Sequence, residues 1–491
     1  MKSAIRTLGA FSTLLVPGLA VPLPQAPEPL PATAKPPGPP GASGVLRAGP
    51  SLIGYGQPFQ AEQTSGSTVV PPYEFGLAPG QSEDPELGLY LDLSNVRNPQ
   101  PIRGGAKSPT DPGPRNYDYD RLNSDLFAPP ATDSGDIPNA KWPFGLSHNR
   151  HGLRSAGWAR QQNTDQLPVA KAMAGVNMRL EPYAYLELHW HSQGEWSLML
   201  NGSVRLASSN EAGEAFIDDL QAGDVWFFPS GIPHSIQALE AGCEFLLVFD
   251  SGSFSEDTTF LVSELFEGNP REVLAKNFRT STASFSNLPH GQLYIFPGSP
   301  PGNITSQNST GPAGIIPPER SYSYHWSLQE PYRVPGGTVK ILDPLSFPIA
   351  DNFAVALFSI DPGAMREMHW HTTSDEWNYF LAGQARVTVF DVPEASRTFD
   401  FQAGDVGYIP VPDAHYVECV SDVPCVYLEV LLADMYNDIS VAQWLGLTPR
   451  QVVRDTLMLS EDVLDRLPKV KPFIFPGSTN HTRTNYTVDV V

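Results

Sequence analysis

The chain has 491 residues, 41% of them hydrophobic and 17% charged, and a formal net charge of −22. That length suggests about two to four domains with ample core, and the acidity argues against nucleic acid or an anionic membrane as partners. Three cysteines are too few for a disulfide-built scaffold, and an anionic substrate would have to be attracted locally, by a metal or an arginine.

Residues 1–20 read as a secretory signal peptide: Lys2 and Arg6, an apolar run through Leu15 and Val16, and small residues before Ala20. The run is short and broken by Pro17, so it does not read as a membrane anchor. Residues 21–115 are rich in proline and glycine, with ten prolines from Pro22 to Pro50, and read as a linker or a removable pro-segment. Ordered structure is expected to begin between about residues 116 and 142. From there the reading is an N-terminal domain over 116–285, a C-terminal domain over 286–475 and a tail over 476–491.

The two domains are an internal repeat. Gly202, Gly223-Asp224, Pro229 and His234 recur as Gly383, Gly404-Asp405, Pro410 and His415, all offset by 181. Around these landmarks run short β-type segments such as Phe245–Phe249, Arg386–Phe390 and Val426–Val430, the pattern of an antiparallel barrel or sandwich. After each copy, Asn269-Pro270 and Thr448-Pro449 offer an N-cap followed by proline at the first helical position, so each barrel should carry a small helical appendage. Such appendages are candidate contacts for a homo-oligomer. Cys419 and Cys425 flank a Ser421–Pro424 turn and are either a local disulfide, leaving Cys243 free, or inert buried thiols. Five N-x-S/T sequons, at Asn201, Asn303, Asn308, Asn480 and Asn485, fit a secreted glycoprotein.

Within the repeat sits a duplicated quartet: His189, His191, Glu195 and His234, then His369, His371, Glu376 and His415. An i, i+2 histidine pair on a strand shares one face, and a nearby carboxylate with a later histidine can converge on the same point. Three imidazoles and a carboxylate form a metal site, so the chain should hold one metal in each repeat. Imidazoles also suit zinc, iron and copper, while the carboxylate shifts preference toward harder ions.

On these motifs the chain resembles a bicupin of the oxalate decarboxylase family, most similar to its secreted fungal members. His189-Trp190-His191 through Glu195 to Gly202, then Gly223, Pro229, Gly231 and His234, carry the first half of the likeness. His369-Trp370-His371 through Glu376 to Gly383, then Gly404, Pro410 and His415, carry the second, with Pro412 where the family usually has glycine. The resemblance implies two tandem cupin (jelly-roll, double-stranded β-helix) barrels, Mn2+ in each, dioxygen as a redox-recycled cofactor, and oxalate as the small-molecule substrate. It also implies roles for individual residues. Glu256, in Ser255-Glu256-Asp257-Thr258 beside a possible hinge at Gly252, matches the family's lid glutamate. Glu429 matches the carboxylate of the second barrel, with Tyr436 seven residues on, and Arg366 matches the substrate-holding arginine. The equivalent of Arg366 in the first barrel is Leu186, which cannot donate hydrogen bonds to a carboxylate, so the first site is expected to be weaker; Tyr183 could also fill its pocket. The leading reading is a secreted decarboxylase giving formate and carbon dioxide. An oxalate oxidase, or a catalytically silent metal-binding or storage-type bicupin, stands beside it.

Overall fold

The computed structural model describes residues 133–307 and 310–477. The expected signal peptide, the Pro/Gly-rich stretch to 115, the tail from 478, and Asn308, Asn480 and Asn485 lie outside the described residues. The rest is mostly antiparallel strand, arranged as two tandem barrels, as the repeat predicts.

In the first barrel two long strands, Glu195–Ser209 and His234–Phe249, bend so that each serves both walls, with register shifts around Asn201–Gly202. In the second barrel the same strands are interrupted. Glu376–Ala382 is followed by Gln384–Asp391, and Ala414–Cys419 by Cys425–Leu431. Gly202 and Gly383 both take φ 72° at the corner. A Cβ there would lie 2.0 Å from the Gly242 carbonyl oxygen or 2.6 Å from that of Pro424, so no other residue fits either place.

The strands that carry the histidine pairs, Tyr185–Trp190 and Met365–Trp370, share a bulge. It falls between Leu186 and His189 in the first and between Arg366 and His369 in the second. Residues three apart would face opposite sides of a regular strand. The extra residue of the bulge turns both inward, and all four are buried.

Sheet pairing crosses between the repeats. Lys141–Pro143 pairs with Asp405–Ile409 of the second barrel, and Ser323–Tyr324 pairs with Val225–Phe228 of the first. Each barrel's edge is thus covered by a strand from the chain leading into the other, which removes two open edges. Lys141 Nζ lies 3.1 Å from Asp405 inside this junction. One core, with Trp196, Leu246 and Val248 from the first barrel and Trp377, Tyr408 and Val430 from the second, joins the two sheets. A Cβ on Gly175 would lie 2.3 Å from the Trp377 ring, so the barrels meet there at backbone distance.

The appendages are Val262–Glu267 and Arg271–Asn277 after the first barrel, and Val441–Leu447, Arg450–Leu457 and Glu461–Arg466 after the second. Two of them start one residue later than expected: Pro270 and Pro449 are the caps, and Asn269 bonds back to the Leu265 carbonyl. All three cysteines are buried free thiols, the second of the alternatives for Cys419 and Cys425. Among the described residues no helix is long and apolar enough to cross a membrane.

Candidate metal centres

Both quartets close. One donor atom from each of His189, His191, Glu195 and His234 lies within 4.8 Å of the others, and the same holds for His369, His371, Glu376 and His415. All eight residues are buried. Each imidazole is held from behind by a backbone carbonyl on Nδ1: Glu187, Gln193 and Ile232 in the first barrel at 2.6, 2.8 and 2.8 Å. Glu367, Asn437 and Asp413 do the same in the second at 2.7, 2.8 and 3.1 Å. With Nδ1–H donating outward, every Nε2 presents a lone pair inward, the arrangement of a metal-ligating histidine.

These donors fit a divalent cation. Nε2 of His234, His369, His371 and His415 and both oxygens of Glu376 are buried without a hydrogen-bond partner. Leaving such atoms dry and unpaired is costly, and one cation in each cluster would satisfy them together. Burial and the neighbouring imidazoles His234 and His191 push His189 well below the usual histidine range. Burial and the charge of Arg366 do the same for His369, keeping both rings neutral as ligands. Burial opposes ionisation of Glu195, but His234 and His191 outweigh it and hold the carboxyl well below the usual range. Glu195 Oε1 also accepts from Trp226 Nε1 at 2.9 Å and Ser197 Oγ at 3.2 Å.

A buried carboxyl paired with a phenol stands beside each quartet. In the second barrel it is Glu429, 0% exposed on Cys425–Leu431 and so not on the wetted outer face. Its Oε1 accepts from Tyr436 Oη at 2.5 Å and lies 3.1 Å from His371 Nε2. Arg366, also 0% exposed, places Nη2 4.0 Å from Glu429 and 2.5 Å from Asp438 Oδ2. Its Nε and Nη1 are buried without hydrogen-bond partners. In the first barrel the carboxyl is Glu256, buried in the one-turn segment Glu256–Thr258 while its neighbour Asp257 is exposed. The Glu256 amide donates to Gln161 Oε1 at 3.0 Å, and its Oε2 accepts from Tyr294 Oη at 2.5 Å. Burial raises the Glu256 carboxyl above the ordinary range, against the opposing effect of Tyr294 and Arg150. Burial and the adjacent carboxylates push both Tyr294 and Tyr436 well above the usual phenol range, so both remain proton donors.

Such a paired site identifies the protein's relatives. The cupin family model matches residues 146–284 and 327–464. Oxalate decarboxylase of Bacillus subtilis (strain 168) is 46% identical over 373 residues, covering 76% of this chain and 96% of that protein. This chain belongs to the bicupin oxalate decarboxylase family. An oxalate decarboxylase of Arthroderma benhamiae is 38% identical over 402 residues, covering 76% of this chain and 93% of that one. The solved structure of the Bacillus subtilis decarboxylase at pH 4.6 matches with a TM-score of 0.72 at 44% identity, covering 77% of this chain and 98% of that one. Another structure of the Bacillus protein, with a TM-score of 0.73, concerns its Mn(II) centers.

Leu186 is buried in the apolar cluster with Ile236 and Ile295. Tyr183 is half-buried at φ 66° in the turn before that strand. Gly252 does not read as a hinge: its amide and carbonyl bond Lys171 and Thr164, and a Cβ would lie 2.1 Å from the Ala170 oxygen. Close approach of two backbones demands that glycine. Tyr294, Asp438 and Arg150, whose guanidinium lies 3.9 Å from the centre of the Tyr294 ring, were missed. A signal for Tyr294 existed, since Tyr294-Ile-Phe-Pro-Gly298 recurs as Phe473-Ile-Phe-Pro-Gly477.

Proposed function

We propose that this chain is a secreted, manganese-dependent oxalate decarboxylase that yields formate and carbon dioxide, with the second barrel carrying most of the turnover. The observation that carries this reading is the convergence of Arg366, Glu429 and Tyr436 on the second quartet in one buried space. Manganese fits the donor set and is supported by the Mn(II) centers of the similar Bacillus structure; with dioxygen it would supply Lewis-acid and one-electron chemistry.

The protein's own part is binding and proton movement. The Nε and Nη1 donors of Arg366, which have no hydrogen-bond partner, would hold one oxygen pair of the substrate. Hydrogen oxalate divides into carbon dioxide and formate, so the one proton needed is the substrate's own. Glu429 would take it as the carbon–carbon bond breaks and return it to the carbon that becomes formate, with Tyr436 fixing the carboxyl in place. Closure of the pocket keeps water from competing for that proton.

Secretion rests on the N-terminal pattern and on the exposed sequons Asn201 and Asn303. A second reading has one observation in its favour: Leu186, packed in the apolar core, makes the first barrel a candidate structural or accessory metal site. The test is incubation of the manganese-loaded chain with oxalate at mildly acidic pH, followed by quantification of formate, carbon dioxide and hydrogen peroxide. One formate per oxalate is expected. Peroxide without formate would make the protein an oxidase, and two bound manganese ions with no turnover would make it a silent metal-binding bicupin.

A further inference from the structure

Three register positions surround the inner end of each histidine-bearing strand, and they differ together between the barrels. Leu186 pairs with Ile295 and Arg366 with Ile474, so the residues three before each isoleucine, Gln292 and Lys471, correspond. Phe260 pairs with Trp190 and Ile439 with Trp370, so the preceding residues, Thr259 and Asp438, correspond as well. The first barrel therefore holds Leu186, Thr259 and Gln292, all uncharged, where the second holds Arg366, Asp438 and Lys471.

In the second barrel the three charges form a chain. Asp438 gives Oδ2 to Arg366 Nη2 at 2.5 Å and Oδ1 to Lys471 Nζ, so each carboxylate oxygen has its own cation. Arg366 and Lys471 also flank one aromatic ring, at 5.9 and 4.9 Å from the centre of Phe473. Without Lys471, Asp438 would cancel the charge of Arg366, and Glu367 and Glu429, 3.6 and 4.0 Å from its nitrogens, would leave its surroundings negative. Lys471 offsets one of these three carboxylates, and Arg366 keeps Nε and Nη1 without hydrogen-bond partners for an anion.

We propose that Lys471 is a positioning and specificity-determining residue of the second site, acting through Asp438 to offset the carboxylates around Arg366 so that this cation can hold an anionic dicarboxylate. This rests on the reading that the second site takes oxalate. Lys471 reaches Asp438 and the Phe473 ring rather than a metal ligand, and its effect is electrostatic, so it bears on binding rather than on the proton transfer. Burial, with the charge of Arg366 adding to it, brings the Lys471 ammonium down to about 7. The charged and titratable groups facing it are Arg366, Asp438, Glu367 and Glu429. Its charge is therefore complete in mild acid and fades as pH rises through neutrality.

The test uses the full manganese-loaded chain with Lys471→Gln, which reproduces the residue found at this register in the first barrel, and Lys471→Arg. Formate production supplies kcat and KM, calorimetry supplies the oxalate Kd, and inhibition by formate, which lacks the second carboxyl, serves as the control. Lys471→Gln should raise KM and Kd for oxalate about tenfold, with kcat and formate inhibition little changed, and Lys471→Arg should restore both. In the parent chain the oxalate KM should climb above about pH 7, a climb that Lys471→Gln abolishes. An unchanged KM and Kd in Lys471→Gln, or a loss confined to kcat, overturns the proposal while leaving the decarboxylase reading intact. Failure of the parent chain to bind oxalate overturns both.

Discussion

In the first barrel the buried carboxyl arrives on a surface segment, Glu256 in its single turn, steadied by Gln161 and Tyr294. In the second it stands on a central strand, Glu429, with the same 2.5 Å phenol contact supplied by Tyr436. The ligand quartets are alike, but their supports are not. Trp226 clamps Glu195, whereas the matching position in the second barrel is Gly407 and Glu376 has no such partner. Two copies of one fold thus reach the same pairing of acid and phenol by different routes. A carboxyl on a short segment can move with it, while one on a barrel strand is fixed by the sheet. The strand-borne carboxyl also has an arginine beside it, and the position of that arginine in the first barrel is Leu186, in the apolar core.

The largest expected effect asks which quartet turns over substrate. His371→Ala should lower formate production by at least about a hundredfold, and His191→Ala should leave most of it. Metal analysis should show each variant holding one manganese instead of two. If His191→Ala proves the damaging one, the assignment of turnover to the second barrel is wrong.

A somewhat smaller effect separates the two carboxyls. Glu429→Gln should cost about a hundredfold in kcat, within the usual range for a lost proton shuttle, against less than about threefold for Glu256→Gln. Steady-state formate assays decide it, and equal losses would mean that both barrels work.

Leu186→Arg sharpens the contrast from the other side. In the His371→Ala background it should raise turnover by about tenfold, since it restores a donor to the substrate. It should also cost roughly 3 kcal/mol of stability, because Thr259 offers the new cation no carboxylate. Adding Thr259→Asp should recover the melting temperature. No gain in turnover from either variant would count against the arginine's role.

The smallest effect concerns Glu244, buried in the first barrel where the register of the second places Val426. Asn177 Nδ2 donates to it at 3.0 Å, yet burial raises its carboxyl from 4.5 to about 7. The folded chain therefore holds this proton more tightly than the unfolded chain. The resulting stability, on the order of 3 kcal/mol, is complete below about pH 4.5 and is lost as pH rises through about 7. Denaturant melts at pH 5 and 7.5 should show Glu244→Gln flattening that part of the slope; an unaltered slope would place the titration elsewhere.

Much of this was legible in the residues. The offset of 181 between Gly202 and Gly383 and between His234 and His415 fixes two copies of one barrel. Period-two spacing puts His189 with His191, and His369 with His371, on one face. The family likeness supplies Glu256, Glu429 and Arg366. What stayed hidden reaches the site from elsewhere in the chain. Tyr294, Asp438 and Lys471 lie outside the histidine motifs and are brought in by two-residue strands with no hydrophobic period of their own. The bulge that turns Arg366 inward leaves no mark in composition. Gly252 looks the same in sequence whether it serves motion or contact, and only the Ala170 carbonyl decides between them.

The reciprocal edge strands have a practical consequence. A half expressed alone from residue 286 onward would lack Lys141–Pro143, and the other half would lack Ser323–Tyr324, so each would present a raw β-edge and half of a shared apolar wall to solvent. Such fragments should stick to themselves or to each other, as donated strands do. The two centres can be silenced one at a time by point changes, but scissors will not part them.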